Sequence, residues 1–149
     1  MKLFEILKQP TDKTCQQTCL AMITGTSVEY VISWFGDWGR DAKLAEDAII
    51  FLAHHGIYLA TFLEAKKGKT LDIEKKTIAK IDFAMEDRPA LLVVKSERWE
   101  GKLHAVLWDG QQVLDPSVGK KRELKEFEII EYWPLLFTDQ QYQRIKEAL

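Results

Sequence analysis

The first half of the chain is patterned for helices. Thr14-Cys15-Gln16-Gln17 has the spacing of a capping box, with Thr14 as N-cap and Gln17 at the third helical position. Apolar side chains follow at Cys15, Cys19, Met22 and Ile23, and Gly25 supplies a stop. Thr26-Ser27-Val28-Glu29 opens a second helix, whose inward stripe is Val28, Val31, Ile32 and Phe35. A third helix is expected over 41–55, with Ala45, Ala48, Ile49 and Leu52 inward and Gly56 behind it.

The second half changes period. A first strand is expected over 57–63 and a charged turn over 64–68, while 71–85 is ambiguous, with Ile78, Ile81 and Met85 at helical spacing. Pro89 introduces Ala90-Leu91-Leu92-Val93-Val94, a continuous apolar run suited to a strand buried on both faces. Residues 102–108 are expected to form another strand, apolar after Lys102 except at His104. Asp109-Gly110 is the strongest hairpin signal in the chain, and 111–115 returns from it. A further strand is expected near 132–137, and Thr138 with Gln141 repeats the capping-box spacing before a last helix. Helices first and antiparallel strands second describe an α+β domain. No repeat, low-complexity tract or linker divides the chain, so residues 1–149 are expected to form one domain.

Charge and composition remove several function classes. The 21 basic and 23 acidic groups leave a net charge of -2, which argues for neither nucleic acid nor an anionic membrane as partner. No apolar stretch has the length of a membrane-spanning helix, and the first residues lack the pattern of a secretory signal. A cytosolic location is therefore expected. The two cysteines, Cys15 and Cys19, are too few for a disulfide framework, and their side chains would point the same way on one helix.

Cys15 is placed for chemistry. As the first helical residue it sits beside backbone N–H groups and the positive end of the helix dipole, a position that favours the thiolate. Cys19 lies one turn deeper on the apolar stripe and reads as core. A two-residue loop at Asp109-Gly110 makes every cross-strand pair sum to 219, so that His104 directly faces Asp115. A carboxylate there would fix the imidazole tautomer and leave the other ring nitrogen for a thiol. Gln9, six residues before Cys15, could join the Cys15 N–H as a second oxyanion donor.

The stretch Gln9 through Cys15-Gln16-Gln17-Thr18-Cys19-Leu20-Ala21-Met22-Ile23 resembles papain-like cysteine peptidases, and most of all the C39 family that processes bacteriocin leaders. Pro89-Ala90-Leu91-Leu92-Val93-Val94, Leu103-His104-Ala105-Val106 and Val113-Leu114-Asp115-Pro116 are similar to that family's second half in order and spacing. The likeness covers roughly residues 9 to 118. It implies a papain-like fold, a peptide or protein substrate, and no cofactor. It also implies Cys15 as nucleophile, His104 as base, Asp115 as orienting acid and Gln9 at the oxyanion hole. Thr14 and Gln16 flank Cys15 where the family usually has Asp and Gly, and Gln16 adds bulk beside the cleavage site.

Other readings stand beside this one. The same fold could serve as an inactive binding or regulatory module. Cys15, Cys19 and a histidine could meet one metal ion, although the remaining ligands would have to be scattered. His54 and His55 fall in the last turn of the third helix and read as structural. Trp34 and Trp38, on a short glycine-bounded segment, could wall a substrate cleft together with Gln16. The run Gly119-Lys120-Lys121-Arg122 reads as a solvated turn.

Overall fold

A computed structural model of the protein describes residues 4–35, 46–59, 63–64 and 89–137. The expected elements at 71–85 and after Thr138, together with Trp38 and Ala45, lie outside the described residues. Among the described residues three helices, α1 (Cys15–Thr24), α2 (Val28–Phe35) and α3 (Glu46–His54), precede the strands. The strands are β1 (Ile57–Leu59), β2 (Leu63–Glu64), β3 (Ala90–Lys95), β4 (Leu103–Trp108), β5 (Val113–Asp115), β6 (Lys120–Arg122) and β7 (Ile129–Phe137). Their order is β1-β7-β3-β4-β5-β6, with β2 also paired to β7, and the pairings are antiparallel. The α+β architecture matches the expectation.

Each helix ends or begins for a local reason. Gly25 adopts φ 71° and sends its N–H to the Ala21 carbonyl, the left-handed cap expected of glycine. Ser27 Oγ accepts the Tyr30 N–H at 3.1 Å and so caps α2. The start of α1 differs from the sequence expectation. Thr14 makes no side-chain cap; its hydroxyl instead donates to the Thr11 carbonyl at 3.0 Å and accepts the Thr11 N–H at 3.1 Å. The capping box is not formed because the preceding turn claims the threonine. On α3 the buried residues are Ala48, Phe51 and Leu52, while Ile49 is 39% exposed. Phe51, not Ile49, takes the inward place.

Two apolar clusters explain the unbroken β3 run. Leu91 joins Ala105, Leu107, Leu114 and Leu135 beneath the helices, with Cys19, Leu20, Val31, Phe51 and Leu52. Ala90, Leu92 and Val94 join Val106, Val113, Phe127 and Tyr132 in the other cluster. From Ala90 to Val94 the β3 side chains are buried on both faces of the sheet, and each is accordingly apolar. This central strand, between β7 and β4, fixes where β4 begins and hence where His104 stands.

Candidate active site

The site is assembled where the first turn of α1 meets the start of β4 and the edge hairpin β5–β6. Cys15 leads α1, and His104 is the second residue of β4. The β4–β5 register pairs Leu107 with Leu114 and Trp108 with Val113, so pairs sum to 221 and not 219. The loop holds four residues, 109–112, because the Asp109 carboxylate accepts the N–H groups of Gln111 and Gln112 at 2.8 and 2.7 Å. The Asp109 N–H in turn donates to the Gln112 carbonyl at 3.0 Å. His104 and Asp115 are therefore diagonal neighbours, not direct ones. Two residues of slip is an even number, so both remain on one face of the sheet. The imidazole spans the diagonal, and its Nε2–H donates to Asp115 Oδ1 at 2.8 Å.

Asp115 is 1% exposed and fully bonded. Its Oδ1 also accepts the Ser117 N–H at 3.0 Å and the Ser117 hydroxyl at 2.8 Å, and its Oδ2 accepts Arg122 Nη1 at 2.9 Å. Burial works against the charged form, but the hydrogen bonds from His104 and Ser117 outweigh it. They hold the carboxyl well below the usual range. Burial likewise opposes charge on His104. Hydrogen bonds with Asp115 and Cys15, and the negative charge of both, overcome it and raise the imidazole to about 9. Cys19 is different. Complete burial, with Cys15 and Asp115 nearby, pushes its thiol well above the ordinary value, so it stays protonated and packs as core. Both cysteines are free thiols.

Gln9 enters the same cleft from the N-terminal segment. Its backbone N–H donates to the Pro116 carbonyl at 2.8 Å, and its Nε2 donates to the Thr11 carbonyl at 2.8 Å. An amide nitrogen carries two hydrogens, so the bond to Thr11 engages one and leaves the other. The cleft measures about 370 Å³ and is lined by Gln9, Cys15, His104 and Asp115 together with Glu97, Trp99 and Arg122 among others.

Some expectations fall elsewhere. Trp34 does not line this cleft; it packs edge-on against Phe51 and His54, with centroids 5.3 and 4.9 Å away. Gln16 is buried and is also absent from the lining. Residues 120–122 form β6 and not a solvated turn, and Arg122 faces Asp115. Ser117 and Arg122 were missed by the sequence reading. Asp115-Pro116-Ser117 does carry the signature of a side-chain-to-backbone turn. Arg122 becomes visible only once the β5–β6 register is known. Among the described residues no group of three or more His, Cys, Asp or Glu side chains could hold a metal ion. Nor is any described helix long and apolar enough to cross a membrane.

No family model and no curated protein matches the chain in sequence. Among solved structures it is similar to a double glycine motif protease from an AMS/PCAT transporter, determined in complex with the leader peptide. The two are 15% identical with a TM-score of 0.62, over 91% of this chain and 92% of that one. Helices packed on an antiparallel sheet in this arrangement are the fold of a papain-like peptidase. More particularly, the fold is that of a C39-type peptidase domain.

Proposed function

We propose that this protein is a cysteine hydrolase of C39-like type that cleaves an amide bond in a peptide or protein. The observation that carries the reading is the series Cys15, His104 and Asp115, joined at its far end by the 2.8 Å Nε2–H···Oδ1 bond. With Nε2 committed to Asp115, the free ring nitrogen is Nδ1, and this is the atom that takes the proton from Cys15 Sγ. Sulfur then attacks the carbonyl carbon. The developing oxyanion is met by the Cys15 N–H and the remaining Gln9 Nε2–H. The tetrahedral intermediate collapses as the imidazolium returns its proton to the leaving amine. Water, deprotonated by the same ring, then releases the acyl group and restores the thiol. Asp115 remains a carboxylate throughout, orienting the ring and stabilising its cationic form.

The neighbour's leader-peptide complex supports a peptide as substrate. A cytosolic site of action fits the absence of a spanning helix among the described residues. Deamidation or acyl transfer would use the same steps with a different second nucleophile. An inactive binding module on this fold is the rival reading.

The test is turnover of a diverse peptide mixture followed by mass spectrometry, with Cys15→Ala beside the natural protein. Cleavage products that vanish in the variant support the hydrolase. An intact mixture, together with a Cys15 thiol alkylated no faster than a simple thiol, favours the binding module.

A further inference from the structure

Arg122 is held more firmly than a surface arginine at the end of a short edge strand requires. In the β5–β6 register Asp115 lies directly opposite Lys120, yet Lys120 is exposed and makes no bond to it. The carboxylate is met instead by the diagonal residue, whose longer, planar guanidinium can span that distance. Three further contacts hold the guanidinium in place. Its Nη2 and Nη1 donate to Glu97 Oε1 and Oε2 at 2.7 and 3.2 Å, a two-point pairing. Nη2 lies 3.5 Å from Glu126 Oε1, and the group stacks over the Phe127 ring at 4.4 Å from its centroid.

The donors on Asp115 are unevenly divided. Oδ1 takes His104 and both Ser117 donors, whereas Oδ2 takes Arg122 alone among the described residues. Without Arg122 the carboxylate would keep one oxygen buried and unmet, and it would turn about its own axis to share the remaining donors. His104 would lose its fixed acceptor.

We infer that Arg122, locked by Glu97, is a positioning residue that holds the Asp115 carboxylate in the rotation that orients His104 Nε2. The inference rests on the proposed hydrolase for its kinetic consequence only. Glu97 lies two residues beyond β3, in the segment that also carries Trp99 at the cleft rim. The clamp therefore ties the rim of the cleft to the acid at its base.

The test uses the full-length protein with labelled histidine and three substitutions: Arg122→Met, Arg122→Lys and Glu97→Gln. The first readout is the NMR resonance of the His104 Nε2–H, which needs no substrate. The charged partners of this ring are Asp115 on β5 and Cys15 on α1, and behind Asp115 stands Arg122 on β6 with Glu97 and Glu126 on its guanidinium. Spectra are accordingly compared at one pH below the imidazole's raised pKa. In Arg122→Met the resonance should be lost or move strongly upfield, and Arg122→Lys should restore it in part. On any peptide that the natural protein cleaves, Arg122→Met should lower kcat about ten- to a hundred-fold with KM little changed. Glu97→Gln should give a smaller loss in the same direction. An unchanged Nε2–H resonance in folded Arg122→Met overturns the inference whatever the rates. If that variant does not fold, an unchanged resonance in Glu97→Gln overturns the Glu97 lock and with it the clamp. A shifted resonance in a protein that cleaves nothing upholds the clamp and removes the hydrolase.

Discussion

Two histidines in this molecule are both partly buried, and their surroundings differ in kind. His55 stands in the aromatic cluster between α2 and α3, its Nδ1 2.8 Å from the Phe51 carbonyl and its Nε2 3.1 Å from the Tyr30 hydroxyl. Its ring lies among Phe51, Tyr30 and Trp34, with centroids 4.4, 5.7 and 6.0 Å away. His104 stands between a carboxylate and a thiol, each of which stabilises the charged ring. Burial does not separate the two. The partners do: a backbone carbonyl, a neutral hydroxyl and π-faces anchor one ring in place, whereas a carboxylate and a thiol flank the other and favour its protonated form. The cysteines repeat the contrast on one helix. Cys15 opens onto the cleft, while Cys19, four residues on, is sealed in the core with its thiol kept protonated.

The sharpest way to break this comparison is to remove each member in turn. Cys15→Ala and His104→Ala should abolish hydrolysis, and Asp115→Asn should lower it by a smaller factor, since an amide oxygen can still accept the Nε2–H but brings no charge to stabilise the imidazolium. His55→Ala should leave the rate near its natural value and lower the midpoint of urea unfolding. A rate that fell as far in His55→Ala as in His104→Ala would erase the distinction between the two regions. Iodoacetamide labelling with peptide mapping makes the same cut between the thiols. Cys15 should react first and Cys19 only on unfolding.

Gln9 sharpens the picture at the next level. Gln9→Ala should lower turnover by about 10²–10³-fold while the rate of Cys15 alkylation stays nearly the same, because an oxyanion donor acts only in the transition state. Steady-state kinetics beside alkylation rates would show it. Loss of both together would mean that Gln9 holds the site's shape through its side-chain bond to the Thr11 carbonyl and donates nothing to the reaction.

Much of this arrangement could be read before the fold was known, and the failures have physical causes. The unbroken apolar run at 90–94 identified the central strand, because only a strand feeding two cores excludes polar residues on both faces. The Asp109-Gly110 signal located the hairpin and misjudged its length. The pairing of His104 with Asp115 survived because the error was even, and a one-residue slip would have put them on opposite faces. Thr14 misled as a cap because its competing partner, Thr11, lies in a turn whose shape the spacing does not encode. Arg122 was out of reach for a similar reason. Its role depends on a diagonal across β5 and β6, and its neighbours Lys120 and Lys121 read as ordinary surface.

The smallest expected effect concerns pH, and it follows from the charged ring of His104. Its folded pKa, about 9, lies above the ordinary imidazole value, so protonation favours the folded state. That contribution is whole below about pH 6.5 and is lost as pH rises through 9. It amounts to a stabilisation on the order of 3 kcal/mol at neutral to mildly acid pH. Asp115 has the opposite sign: its carboxylate stabilises the fold above the usual carboxylate range, and the contribution fades as pH falls below about 4. Urea midpoints measured between pH 6 and 10 should therefore decline toward the alkaline end, and kcat/KM should decline with them as the imidazolium that protonates the leaving amine is lost. Substituting His104 with Gln should flatten the alkaline part of the stability profile, whereas His55→Gln should shift the whole profile and leave its slope. An alkaline slope that persisted without His104 would place the titrating group elsewhere, and the contrast between the two histidines would lose its electrostatic basis.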